Sequence, residues 1–345
     1  RFRRLIDQTQ DGAGLGAEGL AWISRKLYRL LIEPVEPWVA AGNRIVLVPD
    51  GPLHLLPFAA LVRNDGRYLV EWKPLSTVLS GTVLAELQKQ GREAAAAEEP
   101  ASRPWVAFGD PWFPPRLAES RPEEIGDVRL RSLSTRTQIR WKRLPESRRE
   151  VEEIAALFPA DRRQTYVDRA ATEERAKALG REPQIVHFAT HGFVDDRSPF
   201  DSGLVLSIPD ELIEGRDNGL LQVWEIFESV RLDADLVVLS ACETGIGEIR
   251  GGEGIIGLTR AFQYAGARSV LASLWRVEDL ATAELMQHFY RHLRAGKPKD
   301  EALRAAQLEL LRSPLRVPDG HGGWTERNAA APYFWAALQL VGDGR

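Results

Sequence analysis

The chain has a single cysteine in 345 residues. That excludes an internal disulfide, and with it the stapled scaffolds typical of small secreted proteins. An unpaired thiol is best kept in a reducing compartment, so a cytoplasmic location is expected. No run of about 18 apolar residues is present, so no membrane-spanning helix is expected, and the first apolar stretch is amphipathic and unlike a signal-peptide core. An excess of one charge is also lacking. The 45 basic and 49 acidic residues are interspersed and sum to −4, without the basic stripe that advertises nucleic acid or an anionic membrane. Neither is expected as a direct partner. No repeat of solenoid length appears. An initiator methionine is missing as well: the chain opens Arg1-Phe2-Arg3-Arg4 and reads as part of a longer protein whose remainder precedes it.

What is present fits a folded enzyme. With 44% hydrophobic and 27% charged residues, the chain can bury a sizeable core in one large domain or two smaller ones. Leu20, Ile23, Leu27 and Leu30 recur at helical spacing, and the apolar run Ile45-Val46-Leu47-Val48 reads as a buried strand entering the turn Asp50-Gly51-Pro52. A strand near Tyr68–Glu71 and a helix near Val83–Gln90 follow. Residues 93–102, rich in Ala, Glu and Pro, read as a solvated linker, giving a division into lobes 1–98 and 99–345. The second lobe opens with a short strand at Trp105 and a long irregular stretch from Pro111 to Arg143. Beyond it, continuously apolar strands at 184–189, 203–207, 235–240 and 269–274 are mostly separated by amphipathic helices, at 220–227, 254–264, 280–294 and 300–311. This pattern predicts an α/β fold with a mostly parallel sheet sandwiched by helices. In such sheets reactive groups gather at the carboxyl ends of strands.

The lone Cys242 lies at such an end, in Ser240-Ala241-Cys242-Glu243-Thr244-Gly245, and His191 lies at another, in Ala189-Thr190-His191-Gly192. A thiol and an imidazole placed where buried strands run out into glycine-containing loops is the arrangement that a cysteine nucleophile and its base require. It points to a cysteine protease. A free thiol with a pKa of about 8.5 is mostly protonated at neutral pH, and a nearby histidine can take that proton or hold the thiolate as an ion pair. The tetrahedral intermediate needs N–H donors, for which the amides of Gly192 and Cys242 are the natural candidates. The blander readings are a cysteine that is a small buried hydrophobe and a loop histidine bonded to backbone.

Other motifs compete. His187, inside an apolar run, reads as a packed, hydrogen-bonded core histidine. His288 and His292 have a zinc-compatible spacing but no evident third ligand, so a solvated helix face is expected. Gly252-Glu253-Gly254-Ile255-Ile256-Gly257 matches the G-x-G-x-x-G pattern of dinucleotide sites. It stands too far from the preceding strand to aim a helix N-terminus at pyrophosphate, and reads better as a mobile loop beside the active centre.

The runs Leu47-Val48-Pro49-Asp50-Gly51-Pro52-Leu53-His54-Leu55-Leu56-Pro57-Phe58, Val186-His187-Phe188-Ala189-Thr190-His191-Gly192, Leu239-Ser240-Ala241-Cys242-Glu243-Thr244-Gly245 and Ala272-Ser273-Leu274-Trp275-Arg276-Val277-Glu278-Asp279 resemble, in order, those of the CHAT family. These are caspase-like, separase-related proteases of clan CD, usually attached to repeat or sensor modules. The resemblance covers the chain from about Leu20 to Val341. It implies a caspase-like fold with a smaller non-catalytic N-terminal α/β lobe, a dyad of His191 and Cys242, no cofactor or metal for the chemistry, and a protein substrate. It further implies that Asp279 contacts a basic side chain preceding the scissile bond and that Trp275 walls that pocket. An N-cap role for Asp279 and core packing for Trp275 are the alternatives. Ser240, two residues before the nucleophile, stands where caspases carry Gln and metacaspases Asp. That weakens any preference for Asp and leaves basic and apolar residues open. The reading is of a cysteine endopeptidase kept latent until a partner or an upstream regulatory module rearranges loops such as 245–254. An inactive scaffold of the same fold is the alternative, and a nucleotide-binding module a more distant one.

Overall fold

The computed structural model describes residues 2, 6, 15–97, 104–115, 117, 142–195, 198–213, 216–240, 243–245, 253–275, 277–318 and 323–345. Two compact units are present, one of Arg1–Leu84 with Val277–Arg345, the other Ala85–Arg276. The first contains helix α1 (Leu15–Leu31), whose buried Ser24 hydroxyl donates to the Ala60 carbonyl and accepts from the Val62 amide. Strands β1 (Ile45–Leu47) and β2 (Leu75–Thr77) pair in parallel. The strand expected near Tyr68–Glu71 is instead a single helical turn, Leu69–Trp72. The reason is local: the Glu71 carboxylate accepts from the Tyr68 amide at 2.8 Å, closing a turn that an extended chain cannot make.

In the second unit the parallel strands follow one another as β3 (Trp105–Pro111), β4 (Arg163–Asp168), β5 (Ile185–Ala189), β9 (Leu236–Leu239) and β11 (Ser269–Ser273). They lie side by side in the order β11-β9-β5-β3-β4, and every pairing is parallel. Their apolar alternation serves two faces. Val106, Phe108, Val186, Phe188, Val237, Leu239, Val270 and Ala272 join one core with Leu258, Ala261, Phe262 and Ala265 of a helix that follows Cys242 in the chain. The residues between them include Trp105, which stacks on Phe158 at 5.2 Å, and His187. This two-sided burial is what the continuous apolar runs require. Helix α2 (Pro145–Ala155) packs against β3 and β5. Its Glu150 carboxylate meets His187 Nε2 at 3.0 Å, so His187 is the hydrogen-bonded core residue its apolar setting suggests.

A second, smaller sheet extends from the end of β5. It runs β10 (Glu243–Gly245), β6 (His191–Phe193), β7 (Gly203–Val205), β8 (Leu220–Gln222), with β10 parallel to β6 and the others antiparallel. The expected helix from Leu220 therefore begins as a strand, and helix α4 (Val223–Ser229) starts only where the Glu225 side chain accepts from the Gln222 amide. Between β4 and β5 lies helix α3 (Glu173–Lys177), capped by Thr172 Oγ1 accepting from the Arg175 amide. Gly203 is needed where β7 meets β8. A Cβ there would press into the Leu221 carbonyl oxygen and lie 2.8 Å from Gln222 Cα, and backbone atoms cannot swing aside. Gly203→Ala is expected to cost about 1–3 kcal/mol, read as a lowered urea midpoint at unchanged m.

The helix carrying the glycine motif is α5 (Glu253–Ala265). Gly252 lies outside the described residues. Gly254 is met by its own chain: a Cβ there would collide with Val194 Cγ1 and sit 2.7 Å from Ser202 Oγ. Close packing thus accounts for this glycine without a bound phosphate.

The chain then returns to the first unit with α6 (Asp279–Arg294), α7 (Lys299–Arg312), the hairpin β12 (Leu315–Pro318) and β13 (Trp324–Arg327), and β14 (Leu338–Gly342). A division at 98/99 assigned these residues to the second lobe; in the structure they cluster with the first. Strand β14 pairs in parallel with β2, Val341 opposite Thr77, and Thr77 Oγ1 donates to the Leu340 carbonyl. Arg304 of α7 donates to the carbonyls of Val70 and Glu71 at 2.7 Å each. Between α6 and α7 the Glu309 carboxylate binds both His288 and His292. These two histidines, read from sequence as a solvated face with no third group near, instead clamp one helix to the other. Among the described residues no helix is long and apolar enough to cross a membrane.

Candidate active site

His191 opens β6 two residues beyond the end of β5 and is buried, 5% exposed. Its Nε2 lies 2.8 Å from the carbonyl oxygen of Lys142. A carbonyl only accepts, so Nε2 carries the hydrogen, and in the neutral ring Nδ1 is the basic nitrogen. The Phe113 ring stands 5.8 Å away, centroid to centroid, and belongs with Phe193, Val205, Ile208 and Leu220 to a small apolar cluster. The imidazole is therefore held in one place by a polar contact and an apolar neighbour. Sequence reading did not single out Lys142. A main-chain carbonyl has no side-chain signature, and this one ends an irregular stretch.

Cys242 lies outside the described residues, as does much of the 111–143 stretch and most of the 245–254 loop. Ser240, two residues before Cys242, and the backbone of Glu243, the residue after it, are described. Ser240 follows β9, whose Leu239 is in register with Phe188 of β5, so the strands leading to the cysteine and to the histidine end on the same edge. On the other side Glu243 is the parallel strand partner of Gly192. Adjacent strands lie about 4.8 Å apart. The residue after Cys242 thus lies beside the residue after His191. Gly192 also faces Leu204 of β7.

The remaining expected site residues fall as follows. Ser240 is buried at 6% exposure and its Oγ has no hydrogen-bond partner among the described residues, an uncommon state for a buried hydroxyl. Trp275 is 1% exposed, and its carbonyl accepts from Ser273 Oγ at 2.6 Å; burial of that degree accords with core packing. Asp279 is the first residue of α6, in the first unit, and Glu278 occupies the N-cap position. The side chain of Asp279 lies outside the described residues.

One acidic group among the described residues has the spacing to hold a cation: Glu173, Asp217 and Glu225. The chain fills it itself. Lys177 Nζ lies 2.5, 2.8 and 2.9 Å from the three carboxylates, and Glu173 Oε2 also accepts from the amides of Asn218 and Gly219. Burial, then the charge of Glu225, pushes the Glu173 carboxyl up to about 8. Burial alone would lower the Lys177 ammonium, but hydrogen bonds to Asp217, Glu173 and Glu225 outweigh it and raise it. The cluster fastens α3 to the loop entering β8. A carboxyl whose folded pKa is raised contributes stability that is complete below its unfolded pKa and lost as pH rises through the folded one. Melting temperature is therefore expected to fall across roughly pH 4.5 to 8 by a component that Glu173→Gln removes, measurable as a flatter profile for the variant.

The sheet order and the helices on its faces define an α/β protein with a large, mostly parallel sheet. The CHAT domain profile matches residues 23–343, and the chain belongs to that family. Among curated proteins, tetratricopeptide repeat protein 28 of Homo sapiens is 25% identical over 382 residues, covering 99% of this chain and 14% of that protein. The Mus musculus protein of the same name is 26% identical over 358 residues, covering 92% and 13%. The chain thus spans about one-seventh of these relatives. Solved structures overlay loosely. Separase in the Saccharomyces cerevisiae separase–securin complex gives 12% identity, TM-score 0.49, and covers 87% of this chain and 15% of that one. The Arg-specific cysteine proteinase gingipain R gives 9% and 0.40, covering 83% and 57%. Overlays at this level carry no weight for the chemistry below.

Proposed function

We propose that this chain is a caspase-like cysteine endopeptidase acting through His191 and Cys242. The observation that carries the reading is the parallel pairing of Glu243 with Gly192, which sets the immediate chain neighbours of the two groups side by side. The Cys242 thiol gives its proton to His191 Nδ1, and the thiolate attacks the peptide carbonyl carbon. The amides of Gly192 and Cys242 hold the resulting oxyanion. His191 then protonates the leaving amine as the C–N bond breaks, and water hydrolyses the thioester to release a carboxylate and the thiol. The carbonyl of Lys142 keeps Nε2 protonated, so that Nδ1 is the nitrogen that receives and returns the proton.

The buried Ser240 hydroxyl, without a hydrogen-bond partner among the described residues, supports a polar contact to the substrate beside the nucleophile, since an unmet buried donor gains from a bound acceptor. The preference that family resemblance attaches to Asp279 is checked by Asp279→Asn, expected to lower kcat/KM for peptides with Arg or Lys before the cleaved bond. Relatives named for tetratricopeptide repeats support an upstream repeat module in the parent protein, with latency relieved through it. The test is to incubate the chain with a diverse peptide library and read new termini by mass spectrometry. New termini from the wild type that are missing with Cys242→Ala support the proposal; their continued formation by Cys242→Ala contradicts it.

A further inference from the structure

The Lys142 carbonyl is only as well placed as the segment that carries it, and that segment is fastened at its very next residue. Arg143 forks onto the buried carboxylate of Asp110, Nε to Oδ1 at 2.8 Å and the terminal nitrogen to Oδ2 at 2.5 Å. The Leu144 amide donates to Asp110 Oδ1 at 3.0 Å, and Arg148 Nε donates to Oδ2 at 3.1 Å. The Asp110 amide in turn donates to Ser147 Oγ, which donates to the Leu144 carbonyl. Arg143 also reaches the Asp168 carboxylate at 3.0 Å.

Two features show that this is a built anchor. Asp110 is 3% exposed, and burial alone would raise its carboxyl; the two arginines and the Leu144 amide outweigh that and hold it below the usual range. Both Asp110 and Asp168, at the ends of the paired strands β3 and β4, have left-handed backbones with φ of 42° and 55°. Aspartate tolerates that conformation better than most residues. The carboxyl end of β3 thus turns so that one carboxylate gathers two guanidiniums and a main-chain amide from residues 143–148.

We infer that Asp110, with Arg143 and Arg148, is a positioning residue for His191: it fixes the Lys142 carbonyl that selects the imidazole tautomer. The charged fork is the working part, because a forked guanidinium–carboxylate pair fixes direction as well as distance. The consequence for rate rests on the peptidase reading above; the consequence for the imidazole does not.

The experiment is nitrogen NMR of the whole chain labelled at histidine, with the His191 signals identified by their loss in His191→Ala. The wild type is expected to show His191 as the single Nε2-protonated tautomer at neutral pH. Asp110→Asn keeps the shape and the backbone tolerance but turns N–H donors toward the guanidiniums. In it the two ring nitrogens are expected to move toward a common averaged shift, and kcat to fall by roughly 10²-fold, the cost of a misplaced catalytic group, with KM little changed. Arg143→Ala, a half-exposed position that leaves Asp110 with Arg148 and the Leu144 amide, guards against loss of folding and is expected to move the same signals. Glu153→Gln, on helix α2 where the side chain pairs with Arg149, outside the Asp110 cluster, should leave them in place. If His191 keeps its tautomer in both folded variants, the inference is overturned whatever the activity. If the tautomer shifts while no form of the chain cleaves peptides, the positioning role stands and the peptidase reading is what fails.

Discussion

Cys242→Ala is expected to lower kcat/KM on any cleaved peptide by on the order of 10⁴-fold or more, His191→Ala by about as much, and the double variant by little further. Non-additivity is the informative part. A nucleophile without its base and a base without its nucleophile are equally idle, so groups working as one unit are lost together. Residual catalysis would come from the amides that hold the oxyanion and from binding alone. The geometry makes the expectation specific, because Glu243 and Gly192, the residues following the two groups, are strand partners. Steady-state kinetics on one defined peptide, across the two single variants and the double, checks it. Losses that add on a logarithmic scale would mean that the residues act separately.

Phe188→Ala is expected to destabilise the second unit by about 3–5 kcal/mol, the usual cost of removing a fully buried phenylalanine. Phe188 is 1% exposed and sits in the middle strand of five, β5. Its ring stacks on Phe108 at 5.0 Å and meets Phe262 of α5 at 5.6 Å. The void therefore opens between the sheet and the helix that covers it, where strands paired on both sides have little freedom to collapse inward. Urea denaturation should show a lower midpoint with an unchanged slope. The same strand ends two residues before His191, so a loss of this size also loosens the platform of the candidate base.

Much of this was legible in the sequence for a simple reason. Strands buried on both faces must be apolar throughout, and β3, β5, β9 and β11 stand out for that alone. The candidate dyad was legible because a thiol and an imidazole at strand ends are conspicuous among apolar neighbours. What escaped was decided by contacts distant in sequence or by single side chains. Glu71 and Glu225 each accept from an amide three residues earlier and turn an apparent strand or helix start into its opposite. Strand β14 finds its place beside β2 through a pairing of Val341 with Thr77, which no local pattern announces, and this carries the C-terminal segment into the first unit. The Glu309 clamp on His288 and His292 requires two helices to meet. The Asp110 anchor was hidden for the same reason: its partners come 33 to 38 residues later, and no local pattern links them to it.

The measurement that tests the central claim most directly is the pH dependence of alkylation at the chain's only thiol, in the wild type and in His191→Ala. It needs no substrate, and with one cysteine in the sequence every alkylated molecule reports on Cys242. The wild type is expected to react with a midpoint well below the ordinary thiol value of about 8.5, and His191→Ala to return to about that value. Coincident curves for the two proteins would contradict a functional pairing of His191 with Cys242.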